Sequence, residues 1–182
     1  MRYSLIIFLL IFSAFVEKPK LVKTKLADGM SASIPASFKP MDEMDFTQRY
    51  PSVRAPLAAF TNEDRDADFS VNISATQWPD ADVTMASKFF RAGLVNLFDK
   101  VDFISEGVRE VHGKQFIYFE IESRMSGTRT NEENRSPISK YTYIQYLVEK
   151  DRTLVFTFSC QARARQDWEE TALLVMKSLK IK

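Results

Sequence analysis

The chain has 182 residues, 45% of them hydrophobic, with 25 Lys and Arg against 24 Asp and Glu for a formal charge of +1. That length and apolar content suit one domain with a substantial core, and the near-neutral balance gives no global field to favour nucleic acid or an anionic membrane. A single Cys excludes an intrachain disulfide framework, and a single His argues against a histidine-built metal centre.

Arg2 precedes the uninterrupted apolar run Leu5-Ile6-Ile7-Phe8-Leu9-Leu10-Ile11-Phe12, followed by Ser13-Ala14-Phe15-Val16 and then the charged Glu17-Lys18. A short positive region, an apolar stretch of this length and small residues before the first charges predict a signal peptide over residues 1–16. An uncleaved tether is the second reading, since a comfortable membrane span needs about 20 apolar residues. Bulky Phe15 departs from a small-x-small cleavage pattern, and no Cys follows for lipid attachment. Cleavage near Val16 removes Arg2 and no acid, which leaves a formally neutral domain over residues 17–182.

Residues 20–27 alternate weakly into a first strand, Asp28-Gly29 forms a hairpin turn, and residues 30–34 return until Pro35 ends the strand. Met41, Met44 and Phe46 fit either one short helical turn or an irregular cover before Tyr50-Pro51. Residues 57–61 and 69–75 form the next strand pair, the second with Phe69, Val71, Ile73 and Ala75 against Ser70, Asn72 and Ser74. The acid-rich stretch Asn62-Glu63-Asp64-Arg65-Asp66-Ala67-Asp68 between them lacks the glycine and closing glutamate of a calcium loop, with Ile73 where that glutamate belongs. It reads as a solvated hairpin tip.

A principal helix follows Trp78-Pro79-Asp80-Ala81-Asp82, with Asp80 or Asp82 as its cap. Val83, Ala86, Phe89, Phe90, Leu94, Leu97 and Phe98 predict a broad core-facing stripe. Residues 101–111 and 115–123 form strands joined by a His112-Gly113 turn, the first bent at Gly107. Apolar residues on both faces of the second (Ile117, Phe119, Ile121 against Phe116, Tyr118) predict a central strand covered on both sides. Residues 125–139 have no period and form a long exposed loop, of a length that tends to be functional or disordered. Strands over 141–148 and 154–160, turned at Asp151-Arg152, lead to a C-terminal helix over 168–179 with Trp168, Ala172, Val175, Met176 and Leu179 at helical spacing.

No nucleophile motif, phosphate loop, dinucleotide fingerprint or zinc spacing occurs in the chain, so no catalytic, metal or cofactor residue is assigned. Cys160 is in phase with Phe156 and Phe158, which predicts a buried, inert thiol, and nothing in the sequence brings His112 to it. The acids Asp64, Asp66, Asp68, Asp80, Asp82, Glu169 and Glu170 fall in turns and first helical turns, where capping accounts for them. Asn72-Ile73-Ser74 and Asn134-Arg135-Ser136 are glycosylation sequons only in a eukaryotic host. Two surfaces remain as candidates. Arg124, Arg129, Arg135, Lys140, Arg163 and Arg165 leave strand ends together and form a candidate contact for an anion or an acidic partner. Phe116, Tyr141 and Tyr143 form a candidate aromatic ligand pocket at one end of the sheet.

The element order resembles the Mog1/PsbP-like family, which includes small exported DcrB-type bacterial proteins. The resemblance is carried by Met30-Ser31-Ala32-Ser33-Ile34-Pro35 with Phe38, by Val111-His112-Gly113-Lys114 before Phe116, by the aromatic strand over 154–160, and by the ending Ala172-Leu173-Leu174-Val175-Met176-Lys177-Ser178-Leu179. It covers nearly all of residues 17–182 and implies a single α+β domain, an antiparallel sheet sandwiched by helices (α/β/α). It also implies an accessory or binding role with no shared catalytic residues to carry over. The resulting expectation is an exported, periplasmic or extracellular, non-enzymatic protein that engages a protein partner, with the loop over 129–137 as a contact. The alternative is a small-ligand carrier. Membrane contact is expected only if residues 1–16 are retained.

Overall fold

The computed structural model describes residues 19–49, 55–76, 78, 82–126 and 137–182. The expected signal segment, Arg129, Arg135 and Asn134 lie outside the described residues.

Alternation near the N-terminus gives β1 (Leu21–Ala27) and β2 (Met30–Pro35), paired antiparallel across a turn in which Gly29 takes φ 74°. β3 (Lys39–Pro40) and the short helix α1 (Glu43–Arg49) follow. Next come β4 (Ala58–Thr61), β5 (Ala67–Ile73) and α2 (Val83–Leu97). Asp82 starts α2 by accepting the backbone N–H of Thr84 at 2.8 Å and of Met85 at 3.2 Å. The long strands β6 (Lys100–Val111), β7 (Lys114–Met125), β8 (Ile138–Val148) and β9 (Thr153–Gln161) then lead, through a 3-10 turn over Ala162–Ala164, into α3 (Arg165–Lys177) and β10 (Lys180–Ile181).

The strands form two sheets. Seven run antiparallel in the order β3-β4-β5-β9-β8-β7-β6, and β1-β2-β10 make a separate small sheet. On one face of the large sheet α2 sets Ala86, Phe90 and Leu94 on Ile117, Phe119, Ile121, Ile144 and Tyr146. There the Phe90 and Tyr146 rings stack at 4.1 Å and 4°. On the other face Ala172, Val175 and Met176 of α3 join the small sheet's Met30, Ala32 and Ile34 over the β5, β8 and β9 side chains. The result is the α/β/α sandwich expected, with the small sheet sharing one outer layer.

Two expectations are corrected. Phe89 and Leu97, read as core-facing, are 47% and 55% exposed. Because α2 meets the sheet along Ala86, Phe90 and Leu94 at steps of four, Phe89 falls about 100° round the helix from Phe90. β7 is not covered on both sides: α3 lies over β8 and β9, so only Phe116 on that face of β7 is buried, while Tyr118, Glu120 and Glu122 are half-buried.

Candidate functional site

The open face left beside α3 is built from β6, β7 and β8. Alternation puts Phe116, Tyr118, Glu120 and Glu122 of β7 on this face and Ile117, Phe119 and Ile121 under α2. Register sets Gly107 of β6 opposite Tyr118, Ser105 opposite Glu120, and on the far side Tyr143 opposite Glu120 and Tyr141 opposite Glu122. Gly107 is what lets Tyr118 lie flat, since a Cβ there would sit 3.3 Å from Tyr118 Cε1. The Tyr118 ring stacks on Tyr143 at 5.9 Å and 18°. Arg109 places its guanidinium 4.4 Å from the Tyr118 centroid, and its Nη1 donates to Tyr143 Oη at 2.6 Å. Tyr141 Oη donates to Glu120 Oε1 at 2.9 Å. Arg165 closes the α3 side, donating to Glu122 at 3.0 Å and to Glu169 at 2.7 Å.

Burial pushes the Tyr143 hydroxyl up to about 12, against the opposing pull of the Arg109 charge. Burial, then the Glu120 charge, pushes Tyr141 higher still. Both phenols are therefore neutral hydrogen-bonding groups at pH 7 rather than bases or nucleophiles. Hydrogen bonding to Glu122 favours the charged form of Arg165. The face presents a flat cation, neutral hydroxyls and fixed carboxylates, an arrangement suited to recognition.

The residues singled out in the sequence scatter around this face. Arg165 is committed to its two glutamates. Arg124 is exposed and helps to line an open cleft of about 210 Å³ with Lys100, Asp102, Glu122, Ser139 and Ala162. Arg163, in the turn after β9, is exposed. Lys140 is exposed too, but it pairs with Ser123 and Gln161 and so projects to the α2 side, away from Arg124. Phe116, Tyr141 and Tyr143 are at most 1% exposed and belong to the packed core. Only the two hydroxyls meet the polar partners of the open face. Cys160 is buried, and burial pushes its thiol up to about 12. It lies in the row of Tyr141 and Glu122, while His112 turns beyond Lys114, roughly 26 Å away along β7. The Asn62 carboxamide folds the acidic hairpin tip by accepting from the backbone of Asp66 and Ala67.

Sequence spacing does not group Arg109, Tyr118, Glu120 and Glu122; the register of β6, β7 and β8 does. A signal was available: one face of β7 passes from Phe116 through Tyr118 to two glutamates while the other stays apolar. That asymmetry marks a strand whose second face runs out from under its cover.

No family model matches the chain, and no curated protein does. Solved structures do match. A cyanobacterial PsbP (CyanoP) from Synechocystis is 13% identical, with 92% of this chain and 96% of that one covered at a TM-score of 0.61. The Ran-binding protein Mog1p of Saccharomyces cerevisiae is 11% identical, with 90% and 96% covered at 0.59. LpqN, involved in cell envelope biogenesis of Mycobacterium tuberculosis, is 11% identical, with 89% and 91% covered at 0.55. At these identities the likeness speaks for architecture: the chain has the Mog1/PsbP-like α+β fold.

Proposed function

We propose that this is an exported, non-enzymatic binding protein that engages a protein partner through the open face of β6, β7 and β8. The observation that carries this is the Arg109–Tyr118–Tyr143 cluster, in which half-buried Arg109 on the edge strand and half-buried Tyr118 stay at the surface, stacked and hydrogen-bonded onto buried Tyr143. Arg and Tyr anchor protein interfaces more than other residues because each brings large contact area with fixed polar groups. Similarity in fold to a Ran-binding protein and to an envelope-biogenesis protein supports a partner-binding role and an envelope address. The apolar run before Glu17 supports export. The test is in-cell cross-linking of the wild type and of an Arg109→Ala, Tyr118→Ala variant, with circular dichroism to check the fold. Loss of the cross-linked species in the folded variant is expected; an unchanged species overturns the assignment to this face.

One observation favours a small-ligand carrier as the second reading. Gln145, opposite Tyr118, is fully buried, and neither its Nε2 nor its Oε1 has a hydrogen-bond partner. A small polar molecule reaching that amide would satisfy both atoms. Native mass spectrometry of gently purified protein tests it, and a bare mass weighs against carriage.

A further inference from the structure

Beyond partner binding, the outer face of the small sheet carries an inference of its own. Met30, Ala32 and Ile34 turn one side of β2 into the core, so Ser31 and Ser33 face outward. Register then sets Lys23 beside Ser33, and Lys25 and Lys180 on either side of Ser31. Lys23, Lys25, Lys180 and Lys182, all exposed, line one open depression of about 360 Å³ together with Ala27 and Ile181. Opposing them is Asp28, which pairs with Lys25 at 2.7 Å with both side chains exposed. A chain of formal charge +1 thus gathers four lysines on one small surface.

We propose that this lysine face docks on an anionic lipid bilayer, its depression receiving lipid headgroups. Two observations choose that occupant. The first is charge complementarity between the lysine ring and phosphate-bearing headgroups. The second is chain length: the apolar run ends at Val16 and β1 begins at Leu21, a gap that extended chain spans in at most about 18 Å. Wherever residues 1–16 stay in the bilayer, β1 is held at its surface with Lys23 and Lys25 on it, and Lys18 and Lys20 add charge in the connection. The inference rests on the tethered reading of residues 1–16 for this proximity, not on the protein-partner reading.

The test uses the full chain on neutral phosphatidylcholine vesicles and on vesicles containing phosphatidylglycerol, with lysine acetylation read peptide by peptide. Lys23, Lys25, Lys180 and Lys182 should label several-fold more slowly on the anionic vesicles, while Lys88 on α2 and Lys150 after β8 should not change. The difference should fade above 0.1 M salt, where screening shortens to about 10 Å. Each Lys→Gln substitution in this set should weaken anionic-vesicle binding about fivefold. Equal labelling on both vesicles, or protection centred on Lys88 or Lys150, overturns the proposal. Protection by polyglutamate but not by vesicles overturns it too, and assigns the face to an acidic protein. The intact mass of chain recovered from cells reports the fate of residues 1–16 separately, so a cleaved tether and a failed lysine face give different results.

Discussion

Arg109 on β6 and Tyr143 on β8 are joined across the strand between them, Nη1 to Oη at 2.6 Å, with the Tyr118 ring of β7 beneath the guanidinium. An edge strand is held by backbone bonds on one side only. Here a side chain reaches past its neighbour and ties β6 to the sheet interior. The same link leaves a flat cation on the surface, so anchoring and recognition share one group.

That arrangement depends on Gly107. A Gly107→Val substitution puts methyl groups where the Tyr118 ring edge lies, 3.3 Å from the Cβ position, and forces the ring off the strand. We expect a loss of about 1–3 kcal/mol, the usual cost of overpacking, together with loss of partner capture. Urea melts of Gly107→Ala and Gly107→Val check this, and equal midpoints for Val and wild type refute it.

Much of the fold is legible in the sequence because it depends on period. The alternation of Leu154, Phe156, Phe158 and Cys160 and the spacing of Ala172, Val175, Met176 and Leu179 both point into one core, as the structure places them. What period cannot give is which helix covers which strand. Phe89 and Leu97 look like their buried neighbours until the crossing of α2 over β7 and β8 is known. The site was harder to read for the same reason. Arg109 and Tyr143 are far apart in sequence and meet only through the pairing of β6, β7 and β8, whereas Arg124 and Lys140 stand one register step apart on opposite faces of the sheet. The lysine face is not legible in the sequence, because Lys23 and Lys25 join Lys180 only through the pairing of β1 and β10 with β2.

The β6–β7 hairpin makes a sharper stability prediction. His112 takes φ 49° and Gly113 φ 78°, both left-handed, in a two-residue turn. A β-branched residue at position 112 meets the steric cost of that conformation, so His112→Val should destabilise by about 1–2 kcal/mol. His112→Asn should be neutral or better, because Asn tolerates the region. Thermal melts of the two variants at pH 7 decide it. If Val and Asn behave alike, the turn is not strained at His112.

Gln145 is a polar group in a place that does nothing to satisfy it. Burying an amide without partners is unfavourable, so Gln145→Leu should leave stability unchanged or raise it by about 1–3 kcal/mol. A marked fall would mean that the amide is satisfied in solution. Should the wild type carry a small molecule and Gln145→Leu lose it, the carrier reading gains.

Stability should also fail at high pH in a defined window. Burial raises Cys160 and Tyr143 to about 12 and raises Tyr141 and Tyr146 further, above their unfolded values of roughly 8.5 for Cys and 10 for Tyr. A raised folded pKa stabilises fully below the unfolded pKa, because both states are then protonated. Above it the unfolded chain loses its proton first and is favoured, and the contribution is gone once pH passes the folded value. Between the unfolded and folded values each such group costs about 1.4 kcal/mol per pH unit, and beyond the folded value the loss levels off. Urea midpoints should be flat from pH 7 to about 8.5, fall through pH 9 as Cys160 counts, and fall more steeply from about 10 to 12 as the tyrosines join it. A Cys160→Ser variant should keep the steep part and lose the early part. A midpoint flat to pH 12 would mean that these groups open to solvent without unfolding, which the close packing of Tyr141 and Phe158 around α3 argues against.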